Sequence, residues 1–289
     1  MGSKSLACAA LLFLTGTVSA GNTAAVLSSG GSAYLEAFSA FQAAYGAEVP
    51  YYDLSKGKAD LPAGTRTVVA FGGKAAAYQY PPGIQLVYCM APGAYIKTAP
   101  QRPKPVKISL LPVIGTIMAT IRAIQPSLRT LKLFWVSPSY GHYTEEFRTE
   151  GARLGVTISA LRLESSDDLP SALRQGIGGM DAFLVMPDPL LITPDTMMIL
   201  REFSWANGIP FYGSTKGMAR EGAVASVGVS FKDIGAAAAA AALRLEAGGD
   251  LPDVIFPEKI ELTLNASAAK KCRVDFTSDI IGEAAYLFP

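Results

Sequence analysis

The sequence has one histidine, His142, and three cysteines in 289 residues. A lone imidazole excludes a histidine-rich metal centre. Ser139 lies near His142, but no G-x-S-x-G turn surrounds it, and a serine hydrolase needs a base and an orienting group that converge on the nucleophile. Neither G-x-G-x-x-G nor the phosphate-loop motif is present, which argues against a dinucleotide or nucleoside triphosphate. Charge is scarce as well. Lys and Arg total 25 against 24 Asp and Glu, a net charge of +1 with no basic block. Nucleic acid and polybasic membrane contacts both need clustered cations, so neither partner is expected. No catalytic residue, metal or cofactor is expected.

Hydrophobic residues make up 50% of the chain, enough for a large core or two ordinary ones. The first twenty read as a secretory leader: Lys4, the apolar run Leu6 to Leu14, Gly16, then small residues at Val18-Ser19-Ala20. The run is short for a bilayer span. The expectation is a signal peptide over 1–20, cut after Ala20, and a soluble exported chain from Gly21. Cys89 and Cys272 then remain. Two separate buried thiols are the favoured reading, with a disulfide closing a long loop as the alternative.

Apolar runs of strand length alternate with helical spacings. Strands are predicted at 24–27, 49–54, 67–71, 84–90, 131–136, 156–161, 183–186, 209–212, 224–229 and 259–264. Helices are predicted at 34–45, 75–78, 113–124, 143–154, 168–175 (capped by Asp167), 193–206 and 234–247 (capped by Asp233). Thr193-Pro194-Asp195 is a helix start, with a capping hydroxyl, a proline and an acid at the positive end. Residues 97–105, rich in Pro, Lys and Arg, read as a surface connection. Val274 to Pro289 carries no clear pattern. The alternation implies parallel sheets with helices on both faces.

In such sheets ligands bind beyond the carboxyl ends of the strands. The residues there are small or hydroxylic: Ser28 and Ser29; Gly72, Gly73 and Lys74; Met90; Ser137, Ser139 and Tyr140; Asp188; Ser214 and Thr215. Small residues and helix N-termini suit an anion. Asp188, fenced by Pro187 and Pro189, offers a charge for a cation. Together they describe a zwitterion such as an amino acid. The alternative is that Asp188 braces its own turn.

The stretches VVAFGGKAAA, LVMPDPLLITPDT, IPFYGSTKGMAREGAVASVGVSFKDIGAAAAAAAL and KIELTLNASAAKK resemble the ABC-transporter substrate-binding family that includes tryptophan-importer binding proteins. The resemblance runs from about Ala24 to Lys271. It implies a type I periplasmic-binding fold: α/β, two Rossmann-like lobes joined by a multi-strand hinge. The lobes are expected at 21–112 plus 231–256 and at 113–230 plus 257–289. The resemblance further implies a monomer that captures a small molecule by hinge closure, an apolar or aromatic amino acid among the options, and delivers it to an ABC permease. A sensory module that signals to a membrane receptor through the same cleft is the alternative, and a secreted enzyme a third reading. Pro-Asp-Pro stands where an Asp-Asn-Thr type of loop is expected in the amino-acid binders.

Overall fold

TAAVL and TVVAF are buried along their whole length, as strands covered by helices on both faces must be. They open the first of two sheets in the computed structural model, which describes residues 22–91 and 103–289. The expected leader, its cleavage site and most of the Pro-, Lys- and Arg-rich connection lie outside the described residues.

The first sheet is built from β1 (Thr23–Leu27), β2 (Tyr51–Asp53), β3 (Thr67–Phe71), β4 (Gln85–Cys89), β5 (Val106–Ile108) and β11 (Val254–Ile255), in the order β11-β5-β4-β3-β1-β2. Every pair in it is parallel. The second contains β6 (Thr130–Trp135), β7 (Thr157–Arg162), β8 (Ala182–Val185), β9 (Phe211–Gly213), β10 (Ala225–Gly228), β12 (Glu261–Asn265) and β13 (Tyr286–Phe288). Its order is β13-β12-β10-β9-β8-β6-β7. One pair, β10 with β12, is antiparallel, a departure from the expected purely parallel sheet. It arises because the chain re-enters the second sheet from the first by a direct link instead of a crossover helix.

The chain passes between the sheets three times: after β5, after β10 and after β11. Residues 231–255 therefore return to the first sheet, and β12 returns to the second. Each sheet carries apolar layers on both faces. In the second, Leu131, Leu133 and Leu184 fill one side, while Phe134, Phe183 and Phe211 fill the other.

Helix α8 (Phe231–Glu246) packs along α1 (Ser32–Tyr45) and covers β3, β4 and β5. Its alanines let it sit close. At Gly235 a Cβ would overlap the Ala37 carbonyl oxygen and lie 2.8 Å from Phe41 N. The alanine tract is therefore a packed helix.

Two expected caps are corrected. Asp233 lies inside the first turn of α8, and Ser230 Oγ caps it by accepting from Asp233 N at 3.0 Å. Likewise a short 3₁₀ turn, 166–168, precedes α5 (Leu169–Gln175), and Ser165 caps it instead of Asp167. In both places Ser sits one position before the helical backbone begins, where its short hydroxyl reaches the orphan N–H. The Thr193 cap forms as expected, on α6 (Pro194–Asn207). Between 274 and 289, α10 (Ser278–Glu283) and β13 form, elements that carried no readable pattern.

Cys89 lies in β4 and Cys272 at the end of α9 (Ala266–Cys272), both free and buried. Burial pushes both thiols up from their usual range. In protein starting at Gly21, neither is expected to react with a thiol reagent until denaturant is added. Prompt labelling of either in native buffer would contradict this burial.

Candidate functional site

Six loops at the carboxyl ends of β1, β3, β4, β6, β8 and β9 share one edge, where the two sheets face each other. Between them lies a cleft of about 650 Å³. That is within the roughly 300–1,000 Å³ usual for small-molecule sites. Its wall from the first sheet includes Ala33, Tyr34, Gly73, Met90 and Ala91, with Phe231 from the start of α8. The facing wall is Ser137, Pro187, Pro189, Leu190, Ile192 and Thr215. Leu110, on the first connection between the sheets, closes one side.

Of the residues expected from sequence, Gly73, Met90, Ser137 and Thr215 line this cleft. Met90 does so in the left-handed region, with φ of 52°. For a residue with a Cβ this costs about 1–3 kcal/mol, and such strain gathers at binding sites.

Several of the others hold the loops in place. Ser28 Oγ accepts from Ala75 N at 2.9 Å, tying the β1 loop to α2 (Gly73–Ala76). Gly72 has φ of 97°, and a Cβ there would lie 2.5 Å from Ser28 Oγ and 2.8 Å from the Tyr34 ring. Glycine thus lets Tyr34 lie against the cleft floor. Lys74 is exposed, donates from Nζ to the Leu54 carbonyl at 3.0 Å, just beyond β2, and does not line the cleft. Ser29 and Ser139 are half-buried and do not line the cleft. Tyr140 is buried and donates to the Pro187 carbonyl at 2.7 Å. Burial, with smaller effects from Asp188 and Tyr143, holds its phenol protonated well above the ordinary range. Ser214 Oγ donates to the Val185 carbonyl at 3.0 Å.

Asp188 is placed differently from the zwitterion expectation. Its exposure is 0%. One carboxylate oxygen accepts from Val136 N and Ser137 N, each at 2.7 Å. The other accepts from Ser137 Oγ at 2.5 Å and Leu190 N at 3.0 Å. All four donors belong to the protein. The carboxylate welds the loop after β6 to the loop after β8. It thereby presents Ser137, Pro189 and Leu190 to the cleft. The prolines at 187 and 189 fix the backbone on either side of that weld and are themselves part of the wall.

The sequence reading missed Tyr34, Leu110, Leu190, Ile192 and Phe231. Their signal was faint: apolar residues just beyond a small-residue loop, in or before a first helical turn. Burial raises the Tyr34 phenol, which leaves an uncharged hydroxyl in the cleft. His142 is exposed, and its ring lies tilted by 39° against Tyr143, with ring centroids 4.6 Å apart. Burial, with a smaller effect from Lys107, pushes its imidazole down. Among the described residues no group of His, Cys, Asp and Glu is placed to hold a metal ion, and no helix is long and apolar enough to cross a membrane.

Solved structures share this architecture at low identity. A substrate-binding protein with adhesive properties from Clostridium difficile, in its ligand-free open form, superposes with a TM-score of 0.67 at 13% identity, over 92% of this chain and 98% of that one. A conserved domain protein from Vibrio cholerae gives 0.65 at 14%, over 92% and 98%. An ABC domain in complex with L-Trp from Streptococcus pneumonia gives 0.64 at 15%, over 92% and 100%. These likenesses establish the type I periplasmic-binding fold. No curated protein sequence matches the chain. Residues 113–287 match the family described as ABC transporter substrate binding protein, which is more than half of the chain. The chain belongs to the ABC transporter substrate-binding protein family.

Proposed function

We propose that this chain is an exported solute receptor that captures a small, largely apolar molecule between its two lobes and hands it to an ABC permease. The lobes are 21–112 plus 231–256 and 113–230 plus 257–289. The observation that carries the reading is the cleft itself, walled by Tyr34, Met90 and Phe231 on one side and by Leu190, Ile192 and two prolines on the other. A ligand that touches both walls stabilises the closed arrangement only when present, which is the requirement for a capture switch. The first-turn N–H groups of α1, and those of Phe231 and Lys232 ahead of the capped Asp233 N–H in α8, begin at the cleft wall and have no acceptor within their helices, so they suit a ligand oxygen. The neighbour that holds L-Trp supports an aromatic body. Export rests on the leader-like first twenty residues.

Thermal-shift screening tests this reading. The panel holds apolar L-amino acids, their deamino carboxylates and the corresponding alcohols. A ligand present at 100 times its Kd adds about 2.7 kcal/mol to apparent stability. At least one member is expected to raise the melting temperature. Tyr34→Ala is expected to weaken that ligand about tenfold or more, since an aromatic wall is lost. A flat response across the panel from folded protein would refute capture of this class.

A further inference from the structure

The carboxylate that the strand-end loops offered to a cation is sealed inside the protein. Asp188 accepts four hydrogen bonds and has no exposed surface. Among the described residues lining the cleft there is no carboxylate to replace it. Four carbonyls at or just beyond the strand ends are also engaged. Phe71 O accepts from Ser28 N, Cys89 O from Gly72 N, Val185 O from Ser214 Oγ and Pro187 O from Tyr140 Oη. Two long helices, α1 and α8, begin at the wall; the positive dipole end of α1 carries no acidic residue in its first turn, while that of α8 is countered by Asp233. An ammonium entering this space would lose its hydration, meet no carboxylate among the described lining residues and face the positive end of α1. A buried charge is tolerated only when paired, so each of these counts against a cationic group.

We infer that the cleft takes an apolar molecule without an ammonium group, neutral or monoanionic, such as the deamino counterpart of an apolar amino acid. This rests on the capture reading above and narrows it. An amino acid and its deamino carboxylate share the apolar body and the carboxylate, so the pair isolates the ammonium. Ligands of this kind keep their contacts with Tyr34 and Phe231 and with the helix starts, and leave no charge unmatched.

Calorimetry on matched pairs decides it: L-tryptophan with indole-3-propionate, L-phenylalanine with 3-phenylpropionate, L-leucine with 4-methylpentanoate, and the corresponding alcohol for each. In the best-binding set, the ammonium-free member is expected to bind at least about tenfold more tightly than its amino acid. Equal or tighter binding of the amino acid overturns the inference while leaving capture intact. No binding by any member of any set, from protein that melts cooperatively, removes the capture reading and the inference with it. A second arm uses Leu190→Asp, which places a carboxylate on the wall at a side chain 57% exposed, where folding tolerates it. This variant is expected to shift the pair ratio by about tenfold toward the amino acid. A ratio that does not move means that the ligand does not lie against this wall, and overturns the inference as well.

Discussion

Asp188→Asn is expected to lower the melting temperature sharply. The carboxylate accepts from Val136 N, Ser137 N, Ser137 Oγ and Leu190 N, and it has no exposed surface. An amide keeps the shape but presents one NH2 group where only donors face it. Either the amide nitrogen opposes two backbone N–H groups, or it opposes a hydroxyl and one N–H. Each buried donor left without an acceptor costs about 1–3 kcal/mol, so the variant should lose on the order of 3 kcal/mol or more. For a chain of this size that is roughly 6–12 °C. Asp188→Ala should cost at least as much, since all four donors lose their partner. Differential scanning calorimetry checks both. Once a ligand is known, its affinity for the folded fraction should fall much less than stability does. The opposite pattern, unchanged melting with affinity lost, would put the carboxylate on the ligand and restore the cationic half of a zwitterion site.

The second large effect is expected at Gly235→Ala. In an ordinary exposed helix this substitution stabilises by about 1 kcal/mol, because glycine pays more backbone entropy. Here the sign should reverse. The added Cβ would overlap the Ala37 carbonyl oxygen and crowd Phe41 N at 2.8 Å, both of them main-chain atoms of α1 that cannot rotate away. Helix α8 must then lift from α1, which also disturbs its cover over β3 and β4. Overpacking of this kind costs about 1–3 kcal/mol and more where backbone must move. The same exchange made in reverse at an exposed position of the helix, Ala240→Gly, should cost only the ordinary 1 kcal/mol or so. Urea titration of the two variants separates packing from propensity. A more stable Gly235→Ala protein would show that the two helices do not approach as closely as described.

These two positions show where local pattern stops being informative. Thr193-Pro194-Asp195 declared a helix start, and Thr193 caps α6, because capping involves atoms within four residues. TVVAF declared a buried strand, and β3 is buried throughout, because a parallel strand covered on both faces has no polar side to show. Asp167 and Asp233 were misread as caps by a shift of two or three residues. Ser and Asp share the chemistry of a cap, and only backbone geometry tells which one precedes the first turn.

The α/β class was legible in the sequence, since strand–helix alternation and strand-end loops are local properties that any sheet of this kind must express, and the family through the resemblance of stretches such as LVMPDPLLITPDT. Which strand joins which sheet was not. Residues 254–255 pair with 107–108 across nearly 150 positions, and nothing local marks that pairing. The role of Asp188 belongs to the same class. A carboxylate after a strand, between two prolines, has the same local pattern whether it braces a turn or meets a ligand. The donors that decide it, at 136 and 137, lie about fifty residues away and reach it because β6 and β8 are neighbours in one sheet. Chain-local physics sets which elements form; the tertiary structure alone assigns their polar atoms to partners, because a hydrogen bond depends on where two groups end up in space and not on their separation along the chain.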